Sequence, residues 1–189
     1  MTVGLFFGSY NPIHIGHLAI ANYMVEFTDM DQVWFIISPQ NPFKKRRSLL
    51  ADHHRLEMVR IAIADDTRFH ESDIEFRMPK PSFTIDTLAW LGEKYPKLHF
   101  GLIMGSDGLK GFDTWKNAAE IIRNHTRYVY PRPGFVYNIQ EHPNTVLVDA
   151  PGIELSATMI REGIKNGRDM RHFLPPGVWE YIDRMNLYR

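Results

Sequence analysis

The chain has 189 residues, 44% hydrophobic and 23% charged, with 22 basic side chains against 22 acidic ones. That balance argues against a basic nucleic-acid binder or a membrane-surface protein, and the length suits one domain with a real core. There is no cysteine for disulfides or thiolate metal sites, no roughly 18-residue apolar run for a membrane span, and no basic flank of the signal-peptide kind, so a cytoplasmic protein without nucleic-acid or membrane partners is expected.

From the N-terminus, Val3 to Phe7 reads as a short buried strand. Gly8, Ser9, Asn11 and Pro12 form a tight loop, and helical spacing starts at Leu18 and runs to Thr28. His14 and His17 therefore fall where a loop turns into a helix, a place where free backbone N–H groups and the helix dipole attract anions. Imidazoles there can add donors or positive charge. Gln32 to Ile37 is a second buried strand, so the first forty residues make a βαβ unit with a parallel crossover. A proline-punctuated loop then delivers Lys44, Lys45, Arg46 and Arg47.

Ala51 to Ala64 has helical spacing, with Leu56, Val59, Arg60 and Ile63 in register, and Phe69 to Phe76 reads as a strand or extended segment. Ser82 is expected to cap a helix that continues through Glu93. Leu98 to Met104 is a strand ending in the loop GSDG, Trp115 to Ile122 a helix, and Thr126 to Tyr130 and Thr145 to Val148 two more strands. Ser156 caps a helix through Lys165 that Gly167 closes, and Val178 to Leu187 is a last amphipathic helix. Strands alternate with helices throughout, so the class is α/β with a doubly wound, Rossmann-like parallel sheet. Residues 1–189 read as a single domain, helical in its C-terminal part from about residue 156. The polar clusters GSYNP, SPQNPFKK, GSD, PRPG (with Arg132) and the Ser156 turn each follow an apolar strand. They should converge beyond the carboxyl ends of the strands, where such sheets bind ligands. Serine-hydrolase (GxSxG), P-loop and HExxH patterns are absent from the sequence, and His53 and His54, adjacent on one helix, make a poor metal pair.

The string GSYNPIHIGH, directly after a strand, resembles the phosphate-binding signature G-x-[FY]-x-P-x-H-x-G-H of the HxGH nucleotidyltransferases. Four more segments resemble one branch of that superfamily, the bacterial nicotinate-nucleotide adenylyltransferases. The loop with Pro39, Pro42 and Lys44 is similar to the family's proline-punctuated segment ending in P-x-K, although Phe43 replaces a usual His. Thr84 in PSFTIDTL resembles S-[YF]-T, and Gly105, Ser106, Asp107, Leu109 and Trp115 fit G-[AS]-D-x-L followed by Trp. LSATMIR resembles I-S-S-T-x-I-R, with Ala157 in place of the second serine.

This resemblance implies the nucleotidyltransferase type of the fold and adenylyl transfer from ATP to nicotinate mononucleotide, giving deamido-NAD and pyrophosphate. It places catalysis on His14 and His17. ATP is expected at Gly8, Ser9, Tyr10, His14, His17, Lys44, Gly105, Asp107, Ser156, Thr158 and Arg161, with Asp107 at the ribose. The mononucleotide is expected at Asn11, Lys44, Thr84, Trp115, Lys116 and Arg132, with the indole stacked on the pyridine and Thr84 and the Lys116 backbone N–H on its carboxylate. Mg²⁺ would arrive with ATP, bridged by phosphate oxygens, without protein metal ligands. ATP and the mononucleotide are the expected partners, and a homo-oligomer is left open. A rival transferase using phosphopantetheine would lack the Thr84 and Trp115 pair, and a non-catalytic nucleotide sensor would not need both histidines.

Overall fold

In the computed structural model of the protein, residues 1–39, 49–134 and 143–189 are described. Six strands form one sheet: β1 (Thr2–Gly8), β2 (Gln32–Ile37), β3 (Phe69–Ser72), β4 (His99–Gly105), β5 (Arg127–Tyr130) and β6 (Thr145–Leu147). Their order is β3-β2-β1-β4-β5-β6 and every pairing is parallel. The order reverses between β1 and β4, so the crevice at their carboxyl ends is the topological switch point. The doubly wound parallel sheet expected from the sequence is thus the one observed.

Side chains alternate along the central strand and feed two cores. Phe6 joins the cluster built by α1 (Ile15–Phe27), α2 (Asp52–Ile63), α5 (Ala157–Lys165) and α6 (Pro176–Arg184), through Met24, Met58, Ile160 and Ile182. Val3 and Leu5 point the other way, into the cluster built by α3 (Thr84–Lys94) and α4 (Ala118–Asn124), through Leu88, Leu91 and Ile121. A strand buried on both faces must be apolar throughout, and the run Val3, Leu5, Phe6, Phe7 has that character.

Several boundaries depart from the sequence expectation. The first helix starts at Ile15, not Leu18, with His14 as its N-cap and His17 inside the first turn. Only Phe69–Ser72 of the third strand pairs, because Ile74–Arg77 winds into a 3₁₀ turn. That turn carries Glu75, a buried carboxylate that accepts from the Ser82 hydroxyl at 3.0 Å and the Thr87 hydroxyl at 2.8 Å. Ser82 therefore serves Glu75 and does not cap α3, which begins at Thr84 after Phe83 with no side-chain cap. Trp115 is not helical. It ends the 3₁₀ turn Phe112–Thr114, and Asn117 at φ 54° resets the backbone before α4. The last helix stops at Arg184 instead of Leu187. Ser156 does cap α5, accepting from the Met159 N–H at 3.2 Å. Gly167, at φ 70°, closes that helix with bonds from Gly167 N–H to Ile164 and from Arg168 N–H to Gly163, each 2.9 Å.

Candidate active site

The loop after β1 is shaped by one aromatic ring. Tyr10 sits in the left-handed region at φ 44°, folds its ring back over Gly8, and donates its hydroxyl to the Phe6 carbonyl. A Cβ at Gly8 would lie 2.7 Å from that ring, so only glycine fits. Burial pushes the Tyr10 phenol well above its ordinary pKa, with Tyr130 adding to the rise, so it stays a neutral donor. The Tyr10 ring meets His17 edge-on at 5.1 Å between centroids, and His14 stacks on His17 at 3.7 Å.

The two imidazoles differ in their proton chemistry. The backbone N–H of His14 donates to Nδ1 of His17 at 3.2 Å. An accepting Nδ1 leaves the proton of a neutral ring on Nε2, so His17 presents an Nε2–H donor. His14 is buried, and its Nδ1 has no hydrogen-bond partner among the described residues. Burial, helped by the charge of Arg132, lowers its pKa from 6.5 to about 4. His14 is therefore neutral at pH 7 in the ligand-free site, so of the two contributions open to an imidazole there, a donor or positive charge, it does not bring the charge.

One arginine ties the loops together. The Arg55 side chain is fully buried on α2 and donates to the Ser9 carbonyl at 2.6 Å, the Ser38 carbonyl at 2.9 Å and the Leu50 carbonyl at 3.1 Å. Its remaining nitrogen pairs with Asp52 at 2.5 Å. Burial pulls its pKa down while Asp52 opposes that shift. Arg55 thus joins the loop after β1 to both ends of the segment that follows β2.

These loops border a cavity of about 590 Å³. Of the predicted residues, Gly8, Ser9, Tyr10, Asn11, His14, His17, Arg132, Ser156, Thr158 and Arg161 all line it. The N-termini of α1 and α5 both open onto it through His14, His17 and Ser156. Arg161 reaches from α5 to donate to the Asn11 carbonyl at 2.7 Å and to Thr158 at 3.2 Å. No carboxylate is among the described lining residues. Two arginines, an Nε2–H imidazole and two helix N-termini around an acid-free cavity are chemistry for a polyphosphate. Among the described residues no group of three or more His, Asp or Glu could hold a metal ion.

Gly105 and Asp107 lie beside the cavity at the end of β4. A Cβ on Gly105 would strike the Asp107 carboxylate at 2.4 Å, and Asp107 stands 3.9 Å from the Arg132 guanidinium. The Arg132 backbone N–H donates to Ser106 Oγ at 2.9 Å, so the GSD turn also fixes the segment that carries Arg132. Thr84, Trp115 and Lys116 form a separate cluster. Lys116 pairs with Asp86 at 2.8 Å and sits 5.0 Å over the Phe83 ring, while Trp115 stacks on Phe112 at 4.8 Å. The Lys116–Asp86 pair thereby joins the Trp115 segment to the first turn of α3, which Thr84 begins. Lys44, with Lys45, Arg46 and Arg47, lies outside the described residues.

Two polar side chains that hold the site's loops from behind the cavity lining, Arg55 and Tyr188, are not among the residues the sequence points to. Arg55 carried a signal: it shares the buried stripe of α2 with Met58, Val59 and Ile63, and a charge on an apolar stripe needs acceptors. Tyr188 carried none, because its hydroxyl meets the Asn11 side chain across the whole length of the chain.

A family model described as cytidylyltransferase-like matches residues 5–163. A protein of Flavobacterium johnsoniae named "Probable nicotinate-nucleotide adenylyltransferase" is 51% identical over 193 residues, covering 100% of each chain. One of Bacteroides thetaiotaomicron with the same name is 47% identical over 183 residues, covering 96% of this chain and 91% of its own. Among solved structures, Plasmodium falciparum nicotinic acid mononucleotide adenylyltransferase complexed with NaAD superposes with a TM-score of 0.83 at 20% identity, covering 99% of this chain and 97% of that one. At that identity the likeness concerns the fold.

The buried neutral state of His14 has a consequence for stability. Its pKa is about 4 in the native protein against 6.5 for an unperturbed imidazole, so between those values the unfolded chain binds more protons. The contribution of this group is complete above about pH 6.5 and is lost as pH falls toward about 4. Urea unfolding of the wild type and of His14→Asn, whose side chain suits an N-cap, should show the wild type losing more stability than the variant between about pH 7 and about pH 5. Equal losses would show that His14 does not titrate as a buried neutral ring.

Proposed function

The chain belongs to the cytidylyltransferase-like family, among the bacterial nicotinate-nucleotide adenylyltransferases, and from that premise we infer that it transfers the adenylyl group of ATP to nicotinate mononucleotide. The products are deamido-NAD and pyrophosphate, and the step belongs to NAD biosynthesis. The observation that carries this at the site is the convergence of the α1 and α5 N-termini, His17, Arg132 and Arg161 on one cavity whose described lining holds no carboxylate.

The nucleophile is a phosphate oxygen of the mononucleotide. It is already anionic near neutral pH, so the site needs no general base. It attacks the α-phosphorus, the new P–O bond forms opposite the leaving oxygen, and the bond from the α-phosphorus to the bridging oxygen breaks to release pyrophosphate. Catalysis is then positioning plus stabilisation of charge on the phosphoryl oxygens. In this scheme the Nε2–H of His17 and the first-turn N–H groups of α1 serve the α-phosphate. His14, Ser156, Thr158 and Arg161 serve the remaining ATP phosphates, with Gly8, Ser9 and Tyr10 forming the wall and Lys44 adding a cation. Gly105 gives the nucleotide backbone room while Asp107 accepts from the ribose. Asn11 and Arg132 face the mononucleotide phosphate, Trp115 stacks on the pyridine ring, and Thr84 and the Lys116 backbone N–H take its carboxylate. We assign the divalent cation of the reaction as Mg²⁺; it would enter with ATP and would supply charge neutralisation on the phosphates, and no residue of this chain is assigned as its ligand. Residues 1–189 act as one nucleotidyltransferase domain, in the cytoplasm. Among the described residues no helix is long and apolar enough to cross a membrane.

Loss of the His17 donor should slow turnover by about 10²–10³-fold, the usual cost of removing one oxyanion-stabilising group. The measurement is pyrophosphate release by His17→Ala from Mg-ATP and nicotinate mononucleotide, with circular dichroism confirming the fold. Wild-type kcat in a folded variant would remove His17 from the chemistry.

The acid mononucleotide should be preferred to the amide. A carboxylate accepts every donor offered by Thr84 and two backbone N–H groups, one of them from Lys116, whereas an amide nitrogen turned toward a donor leaves both unpaired. The mismatch should cost on the order of 10²-fold in kcat/KM. Trp115→Ala should weaken both substrates equally, because stacking on the ring does not sense its substituent. Near-equal kcat/KM values for the two mononucleotides in the wild type would contradict recognition of the carboxylate.

A further inference from the structure

The segment after α6 does more than end a helix. Leu187 is buried in the main core, and its backbone N–H donates to the Ile182 carbonyl at 3.0 Å. Asn186 at φ 52° and Tyr188 at φ 66° both occupy the left-handed region. A tyrosine has no local reason to adopt that conformation, so something beyond the turn holds it there. Its ring packs against the core, and its hydroxyl donates to Asn11 Oδ1 at 2.9 Å, 177 positions away in the chain.

Asn11 receives a second bond on the same oxygen, from the backbone N–H of Leu50 at 3.3 Å. A backbone N–H can only donate, so it fixes which edge of the Asn11 amide is oxygen. The Tyr188 phenol must then donate as well. Burial raises its pKa well above the ordinary tyrosine value despite the nearby Arg161 and Arg55 cations, which keeps the proton in place. Asn11 is itself buried and lines the cavity between Ser9 and His14, and its carbonyl takes the Arg161 guanidinium. Asn11 is thus held from three directions: by α5, by the segment leading into α2, and by the turn after α6.

Resting on the adenylyl-transfer reaction above, we propose that Tyr188 is a positioning residue of that reaction, whose hydroxyl locks the Asn11 side chain in the orientation that meets the mononucleotide phosphate. Tyr188 touches no reacting atom. Its effect passes through Asn11, so its removal should cost nothing once Asn11 has lost its amide.

A double-mutant cycle tests this, with pyrophosphate release measured for wild type, Tyr188→Phe, Asn11→Ala and the double variant. Phenylalanine keeps the ring in the core and removes only the hydroxyl oxygen. Tyr188→Phe should lower kcat/KM for nicotinate mononucleotide about 10-fold, in line with the cost of a misplaced positioning group, while KM for ATP changes less than about twofold. Asn11→Ala should lower it at least as much, and adding Tyr188→Phe to Asn11→Ala should bring no further loss. Losses that multiply across the cycle would overturn the proposal, as would a Tyr188→Phe enzyme with wild-type kcat/KM. So would a Tyr188→Phe chain that does not fold even at low temperature, since the hydroxyl would then serve the fold and not the site. Inactivity of the wild type itself toward this substrate pair would instead overturn the assigned reaction, so the two failures are distinguishable.

Discussion

A guanidinium with no exposed surface must be surrounded by acceptors, and that demand organises the ligand face of this protein. Arg55 satisfies it with three backbone carbonyls, of Ser9, Ser38 and Leu50, and with the Asp52 carboxylate. None of the three carbonyls belongs to a helix or a strand. They are loop oxygens, held in place because moving any of them would leave a buried cation short of a partner, at a cost of several kcal/mol. Loops are ordinarily the most mobile parts of a fold. Here the loop after β1 is tied at its first residue, Ser9, and both ends of the segment after β2 are tied to the same side chain.

On that frame the site separates charge by burial. His14 is kept neutral by its surroundings, Tyr10 and Tyr188 are kept protonated, and His17 has its Nδ1 taken by a backbone donor. Full positive charge enters the described cavity lining through Arg132, after β5, and Arg161, on α5. Two helix N-termini supply partial positive charge between them. Such a lining suits a polyanion, since no carboxylate is among its described residues. The stacking of His14 on His17 at 3.7 Å is compatible with this arrangement because one ring of the pair is uncharged. Two imidazolium rings at that spacing would repel each other.

The parts of this design that depend on local pattern were legible in the sequence. The strand–loop–helix order around His14 and His17, the Ser156 cap and the Gly167 stop rest on contacts within a few residues and are all present, with the first helix starting three residues earlier than its apolar spacing implied. The sheet class followed from the alternation of apolar runs and helical spacing. Long-range partners were not legible. Ser82 looked like a helix cap because its intended acceptor, Glu75, sits on a 3₁₀ turn that apolar periodicity does not reveal. Trp115 looked helical because the 3₁₀ turn before it and the left-handed Asn117 after it leave no apolar signature. The charge state of His14 depends on burial and on Arg132, two features of the folded chain alone. Tyr188 and Asn11 meet only because α6 packs against the same core as α1.

In the proposed reaction the N-termini of α1 and α5 hold the triphosphate between them, with His17 on the α-phosphate. A crystal structure of the protein with a non-hydrolysable ATP analogue and Mg²⁺ is the most direct test. The triphosphate should lie in the cavity lined by Ser9, His17, Ser156 and Arg161, with Nε2 of His17 within hydrogen-bonding distance of an α-phosphate oxygen. A triphosphate lying outside that cavity, or an α-phosphate with His17 turned away from it, would rule this arrangement out.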